Sequence, residues 1–142
     1  AACQGGMAFS NSSVCLVHGM SRPLGAVFHI PHGLSNAVLL PEVTRFSVEG
    51  NPGRYADAAR LIGCCEGDED DADASAKLVD WLERLNEALE IPRLRDCPGV
   101  TREVFEAQLD KMAADALASG SPANNPRVPA QDEIKAIYNK AW

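Results

Sequence analysis

The spacing of the apolar residues most constrains the fold of this chain. From about Ala74 to Leu89, and again from Thr101 to Leu117, apolar residues recur every three or four positions. This period marks the buried face of an amphipathic helix. Alternation with a period of two, which marks a half-buried strand, is missing throughout the sequence. The sequence therefore predicts an all-α fold, a helical bundle of about six or seven helices.

Capping residues predict further helix boundaries. Asn51 followed by Pro52 is a helix start, and Gly63 closes the short amphipathic segment after it. The acidic run 66–71 is expected to be a solvated loop that leads into the next helix, and Pro92 is expected to end that helix.

The two ends of the sequence differ. Ala1-Ala2-Cys3 has no Ser, Thr, Asp or Asn cap, which suggests a helix already under way. At the other end, Gln131 opens a last helix whose apolar residues recur as far as Trp142. We expect a chain cut at its N-terminal side and complete at its C-terminal side.

Composition and charge exclude several classes of protein. The chain has 142 residues, about one domain, with 46% hydrophobic and 23% charged residues, so wholesale disorder is not expected. The net charge is −7 and Lys and Arg form no patch, which argues against nucleic-acid binding. No apolar run reaches the roughly 18 residues that a membrane span needs, and no signal peptide is recognisable.

The cysteines favour a reducing compartment. They are five in number, without C-x-x-C spacing, and two of them are adjacent, so neither a disulfide framework nor a zinc knuckle is expected. We therefore expect a cytoplasmic protein. Cys15 is expected to be a small buried apolar residue.

Residues 14–41 differ from the rest of the chain because their sequence is apolar nearly all round, and a helix of this kind is expected to be buried. All three histidines, His18, His29 and His32, lie here. His18 and His32 can meet only if the chain folds back between them, and Pro31 with Gly33 supplies the break. Spacing leaves two interpretations open: two core histidines with satisfied ring nitrogens, or a pair of metal ligands.

The residue pattern of this segment is more specific than its spacing. It closely resembles the iron-containing alcohol dehydrogenase family, and the resemblance extends in order over essentially the whole chain. It is carried by Phe9-Ser10-Asn11, by residues 18–25 (HGMSRPLG), 31–37 (PHGLSNA) and 39–41 (LLP), by residues 54–60 (RYADAAR), and by Asn125-Pro126-Arg127.

The resemblance implies that residues 1–142 are the C-terminal, metal-binding helical domain of such an enzyme, truncated at its N-terminal side. In that family a nucleotide-binding α/β domain comes first, and a divalent metal lies in the cleft between the domains. The third and fourth metal ligands match His18 and His32. The first two, an Asp and a His four residues later, lie upstream, and no Asp-x-x-x-His occurs here. The implied cofactors are Fe²⁺ or Zn²⁺, and NAD or NADP bound mainly by the missing N-terminal domain.

One position departs from the family pattern. Many members have a histidine close to the nicotinamide, four residues after the ligand that matches His18, and here that position is Arg22. His29 is the candidate for a catalytic proton-relay role, the alternative being a pocket-lining or exposed histidine. Arg22 would either meet an anionic group of cofactor or substrate or pair with an acid.

The implied reaction is reversible hydride transfer between an alcohol, oxidised to the aldehyde or ketone, and NAD(P), with the metal as Lewis acid. The isolated chain is expected to be inactive, and a homo-oligomer is expected. The alternative is a non-catalytic helical module for interaction or dimerisation, because surfaces meant for an absent domain would be apolar and exposed. Hydrolysis by a Ser or Cys nucleophile is not favoured, since no G-x-S-x-G occurs.

Overall fold

The computed structural model describes residues 2–142, and this part of the chain forms seven α-helices and two 3₁₀ helices without any strand. The prediction of an all-α fold with six or seven helices is confirmed. The α-helices are α1 (Ala2–Ser12), α2 (Leu16–Phe28), α3 (His32–Val48), α4 (Pro52–Ile62), α5 (Asp71–Ala88), α6 (Arg102–Ala118) and α7 (Gln131–Lys140); the 3₁₀ helices span Leu94–Asp96 and Ser121–Asn124.

Helix α2 lies at the centre of the bundle, packed against α3, α6 and the second 3₁₀ helix. Helix α3 also packs on α5 and α7, and α6 packs on α7. The main core is apolar and its largest fully buried side chains include Leu16, Met20, Leu24, Leu39, Phe105, Ile134 and Tyr138. The Tyr138 hydroxyl donates a hydrogen bond of 2.6 Å to the Met20 carbonyl and so ties α7 to α2.

Helices α4 and α5 pack against each other around a smaller cluster of buried residues (Ala56, Ala59, Ala74 and Leu78). The predicted cap of α4 is present, since the Asn51 side chain accepts from the Arg54 amide and Gly63 ends the helix with φ 72°. Helix α5 starts earlier than the apolar pattern suggested, because the Asp70 carboxylate accepts from the Asp73 amide.

Two prolines lie inside helices, Pro23 in α2 and Pro41 in α3. A proline has no amide hydrogen, so Pro41 leaves the Ala37 carbonyl without its intrahelical partner. The Asn86 side chain, from α5, donates a hydrogen bond of 2.8 Å to that carbonyl. Helix α3 therefore continues past Pro41 as far as Val48.

Helices lie near both ends of the described chain, but the last helix is shorter than its apolar pattern suggests. Helix α1 begins at Ala2, while Ala1 lies outside the described residues; its Met7 and Phe9 side chains are 64% and 56% exposed. Helix α7 ends at Lys140, before Trp142. The ring centroid of Trp142 lies 4.5 Å from that of Phe105. Among residues 2–142, no helix combines the length and apolar character needed to cross a membrane.

Candidate metal centre

The two histidines singled out by their pattern lie on consecutive helices. His18 is in the first turn of α2, and His32 is the first residue of α3. The connection is only residues 29–31, in which His29 adopts a left-handed conformation with φ 57° and Pro31 is extended. Gly33, expected to be part of the break, is instead already inside α3.

This short connection brings the two imidazoles together. His18 Nδ1 lies 3.1 Å from His32 Nε2, and the ring centroids are 5.1 Å apart. The His18 side chain is half-buried, whereas His32 is exposed. His29 is exposed at the C-terminal cap of α2 and is not part of this pair.

Two further polar side chains surround the His32 ring. The Ser21 hydroxyl oxygen lies 3.4 Å from Nδ1, and the Asn36 Nδ2 atom lies 3.1 Å from Nε2. The other end of the Asn36 amide, Oδ1, is buried and has no hydrogen-bond partner among the described residues. Both ring nitrogens of His32 thus have polar neighbours, and one buried amide oxygen beside them is unsatisfied.

The electrostatics of the pair favour a neutral His18. Burial lowers the pKa of His18 below its ordinary value, and the nearby His32 and Arg22 lower it further. A neutral imidazole carries the free lone pair that a metal ligand needs. A protonated His18 ring would be partly desolvated and would lie near the positive charge of the Arg22 guanidinium.

Arg22 lies on the exposed side of α2, which corrects the expectation that this helix is buried all round. Leu16, Met20 and Leu24 are fully buried, but Arg22 is exposed. Its guanidinium donates a hydrogen bond of 3.3 Å to the Ser121 hydroxyl, and no ion pair with an acid is found for it in the part of the chain that the structure describes.

The donor set fits half of a metal centre. Two nitrogens on one tetrahedral cation at metal–nitrogen distances of about 2.0–2.1 Å would lie about 3.3 Å apart, close to the 3.1 Å between His18 and His32. That distance also fits an ordinary hydrogen bond between imidazoles, so geometry alone does not decide. No third His, Cys, Asp or Glu joins them within residues 2–142, whereas catalytic sites commonly have three protein ligands.

Comparison with known proteins decides the family. The sequence model described as "Fe-containing alcohol dehydrogenase family, C-terminal" matches residues 1–142. The chain belongs to this family. It is 39% identical to a 1,3-propanediol dehydrogenase of Klebsiella pneumoniae, with 96% of this chain and 34% of that protein covered. It is 34% identical to an NADPH-dependent butanol dehydrogenase of Clostridium saccharobutylicum, with 97% and 35% covered.

The fold agrees with this assignment. The crystal structure of a 1,3-propanediol oxidoreductase superposes on the chain with a TM-score of 0.88 at 39% identity, and the match covers 96% of this chain and 35% of that one. The chain thus corresponds to the C-terminal helical part of Fe-containing alcohol dehydrogenases. It spans about a third of the length of the relatives that it matches.

Sequence reasoning missed two residues next to the pair. Asn36 could have been found, since it follows His32 by four residues and so lies on the same face of α3. Ser21 follows His18 by three residues on α2, but its proximity to the His32 ring arises only from the packing of α2 on α3. The expectation for Cys15 needs correction: it is half-buried and its thiol donates to the Asn124 carbonyl.

Proposed function

We propose that His18 and His32 are two ligands of a divalent metal, Fe²⁺ or Zn²⁺, in an NAD(P)-dependent alcohol dehydrogenase of which this chain is the C-terminal metal-binding domain. The remaining ligands and the nucleotide-binding domain lie outside these 142 residues. The substrate class is a small alcohol and its aldehyde or ketone, as the names of the propanediol and butanol dehydrogenases suggest.

One observation carries the proposal: ring nitrogens of His18 and His32, from consecutive helices, lie 3.1 Å apart on an accessible surface. Core histidines with satisfied nitrogens would be enclosed, but the His32 side chain is exposed. Beside this pair, Asn36 Oδ1 is buried without a hydrogen-bond partner, which is consistent with a polar group that binds there in the complete protein.

A cation bound there would supply Lewis-acid chemistry, which lowers the pKa of an alcohol hydroxyl before hydride leaves for the nicotinamide. The chain's own contribution is to hold two neutral imidazoles in a fixed relative position. Burial, the neighbouring His32 and the Arg22 charge lower the pKa of His18, which favours the neutral form that a cation binds. The α2–α3 packing fixes the separation of the rings.

The test is a titration of the chain with Zn²⁺, and with Fe²⁺ under anaerobic conditions, followed by calorimetry. We expect one cation per chain, and we expect the variant His18→Ala plus His32→Ala to weaken binding by more than the 10–100-fold typical of an outer-shell substitution. His29→Asn is the matched control, because it removes the third histidine and asparagine tolerates the left-handed conformation. Equal binding by the double variant would instead favour a helical interaction module.

For turnover, we propose that the chain alone does not oxidise alcohols with NAD(P). Addition of the nucleotide-binding part of a relative in trans is the complementary experiment. Alcohol oxidation by the isolated chain would contradict the proposal that ligands and nucleotide site lie elsewhere.

His29 is proposed as a proton relay in the complete enzyme. It lies on the short connection between the two helices that carry the pair, and its ring is accessible to solvent. We expect His29→Asn to lower the turnover of the complete enzyme while leaving metal content unchanged. Unchanged turnover would contradict the relay role and would indicate that His29 is only the exposed C-cap residue of α2.

The proposal includes self-association and a cytoplasmic location. Exposed apolar side chains such as Met7, Phe9 and Leu61 favour association of the chain with itself, which sedimentation analysis would detect. All five cysteines are free thiols in the structure, which suits a reducing compartment.

A further inference from the structure

We propose that Ser21 is a positioning residue for the metal pair: its hydroxyl oxygen accepts a hydrogen bond from His32 Nδ1–H and thereby keeps the His32 Nε2 lone pair turned toward His18. The proposal rests on the function proposed for His18 and His32. It adds a residue that touches neither cation nor substrate and acts through the ring of His32.

The position of Ser21 is unusual for a polar side chain. The residue is only 1% exposed, although it lies next to a histidine pair that reaches the surface. Its hydroxyl donates its one proton to the His18 carbonyl at 3.2 Å. Toward His32 Nδ1, 3.4 Å away, Ser21 can therefore present only an oxygen lone pair. A ring nitrogen that faces a lone pair is favoured in its protonated form.

The opposite side of the ring agrees with this assignment. Asn36 Nδ2 faces His32 Nε2 at 3.1 Å, and an amide nitrogen has hydrogens but no lone pair to offer. Nε2 must then be the acceptor, with its proton absent. Exchanging the positions of Oδ1 and Nδ2 of Asn36 would not stabilise the site, because Nδ2 would then lie in the buried position where Oδ1 has no hydrogen-bond partner.

The contact with Ser21 is long for an N–H···O hydrogen bond, whose usual range is about 2.7–3.2 Å. Its effect is therefore a bias between two tautomers of the ring rather than a rigid anchor. Asn36 biases the ring in the same direction from the other side. Ser21 and Asn36 thus favour the same tautomer of His32 from opposite sides of its ring.

This tautomer is the one that metal binding needs. Histidines that ligate metals generally donate the other ring N–H to an acceptor, which fixes the tautomer and makes the ligating nitrogen more basic. In this chain the acceptor for His32 is a buried serine hydroxyl on the neighbouring helix, the same helix that carries His18. Helix α2 therefore supplies both a ligand and the group that prepares the second ligand.

The first experiment reads the tautomer directly, by ¹⁵N NMR of the histidine rings at pH ~8.5, about two units above the ordinary histidine pKa. We expect His32 in the wild-type chain to be mainly the Nδ1–H form and Ser21→Ala to shift it toward Nε2–H. Ser35→Ala is the matched control, because Ser35 is equally buried but its hydroxyl donates to the Ile30 and Pro31 carbonyls. We expect it to leave the His32 spectrum unchanged.

The wild-type spectrum alone tests the proposal, even where a variant fails to fold. A His32 ring that is mainly Nε2–H in the wild-type chain overturns it, and so does an unchanged tautomer ratio in folded Ser21→Ala. These readouts need no metal, so they stay informative if the cation titration fails and the proposed function falls with it.

The second experiment measures metal affinity by competition with a chelator. We expect Ser21→Ala to weaken Zn²⁺ binding by about 10–100-fold relative to the wild type, whereas Ser35→Ala changes it little. An equal loss in both variants would point to a general loss of packing and would contradict a specific role for Ser21.

Discussion

Helix α2 contains two glycines whose surroundings predict opposite effects of the same substitution. A Cβ added at Gly19 would lie 3.0 and 3.1 Å from two ring carbons of Pro122 and 3.3 Å from Ser119 Oγ. A Cβ added at Gly25 would have the Ile30 carbonyl oxygen as its nearest neighbour, at 3.5 Å, an ordinary contact. Both positions lie inside the helix, so alanine brings the same gain in helix propensity at each.

The magnitudes follow from two opposing contributions to the free energy of unfolding. Replacing glycine by alanine inside a helix stabilises by about 0.8–1.0 kcal/mol. Forcing a methyl group into a packed contact costs about 1–3 kcal/mol, and the Pro122 ring cannot rotate away as a flexible side chain would. We expect Gly25→Ala to be more stable than the wild type by about 0.5–1 kcal/mol and Gly19→Ala to be less stable by up to about 2 kcal/mol.

Thermal and urea unfolding followed by circular dichroism would measure the difference. For a domain of this size about 1 kcal/mol corresponds to a shift of roughly 3–4 °C in Tm, so Gly19→Ala should melt about 2–12 °C below Gly25→Ala. Because Gly19 follows His18, displacement of α2 from the second 3₁₀ helix should also weaken cation binding, and Gly25→Ala should not. The reasoning is refuted if Gly19→Ala is as stable as Gly25→Ala.

Two further predictions concern buried groups of the main core. Tyr138→Phe removes the hydrogen bond to the Met20 carbonyl and should lower the free energy of unfolding by about 1–2 kcal/mol in urea titrations, with the fold retained; no loss would mean that this carbonyl is already satisfied. Cys97 is 3% exposed, and burial raises the pKa of its thiol. At pH ~8 we therefore expect Cys97 to react with an aromatic disulfide reagent only when the chain unfolds, well after the exposed Cys3 has reacted. Similar rates would show that this part of the core opens readily.

The features predictable from the sequence are those with a local physical cause. The start of α4 follows from Asn51, whose side chain accepts from an amide three residues later, and its end follows from a glycine in the left-handed conformation. The convergence of His18 and His32 was predictable for a similar reason, because Pro31 favours a helix boundary and a short connection returns the chain upon itself.

The features that escaped prediction depend on side chains distant in sequence. From local sequence alone, α3 would be expected to end or kink at Pro41, because the Ala37 carbonyl loses its intrahelical hydrogen bond. Asn86, 49 residues further along the chain, donates a hydrogen bond to that carbonyl and so satisfies it. Ser21 is a parallel case: by itself it is an ordinary helical serine, and only the packing of α2 on α3 places its oxygen next to His32 Nδ1. In both cases a polar group is satisfied across two helices. The sequence pattern could thus indicate which residues form the site, while the groups that orient them required the packed structure.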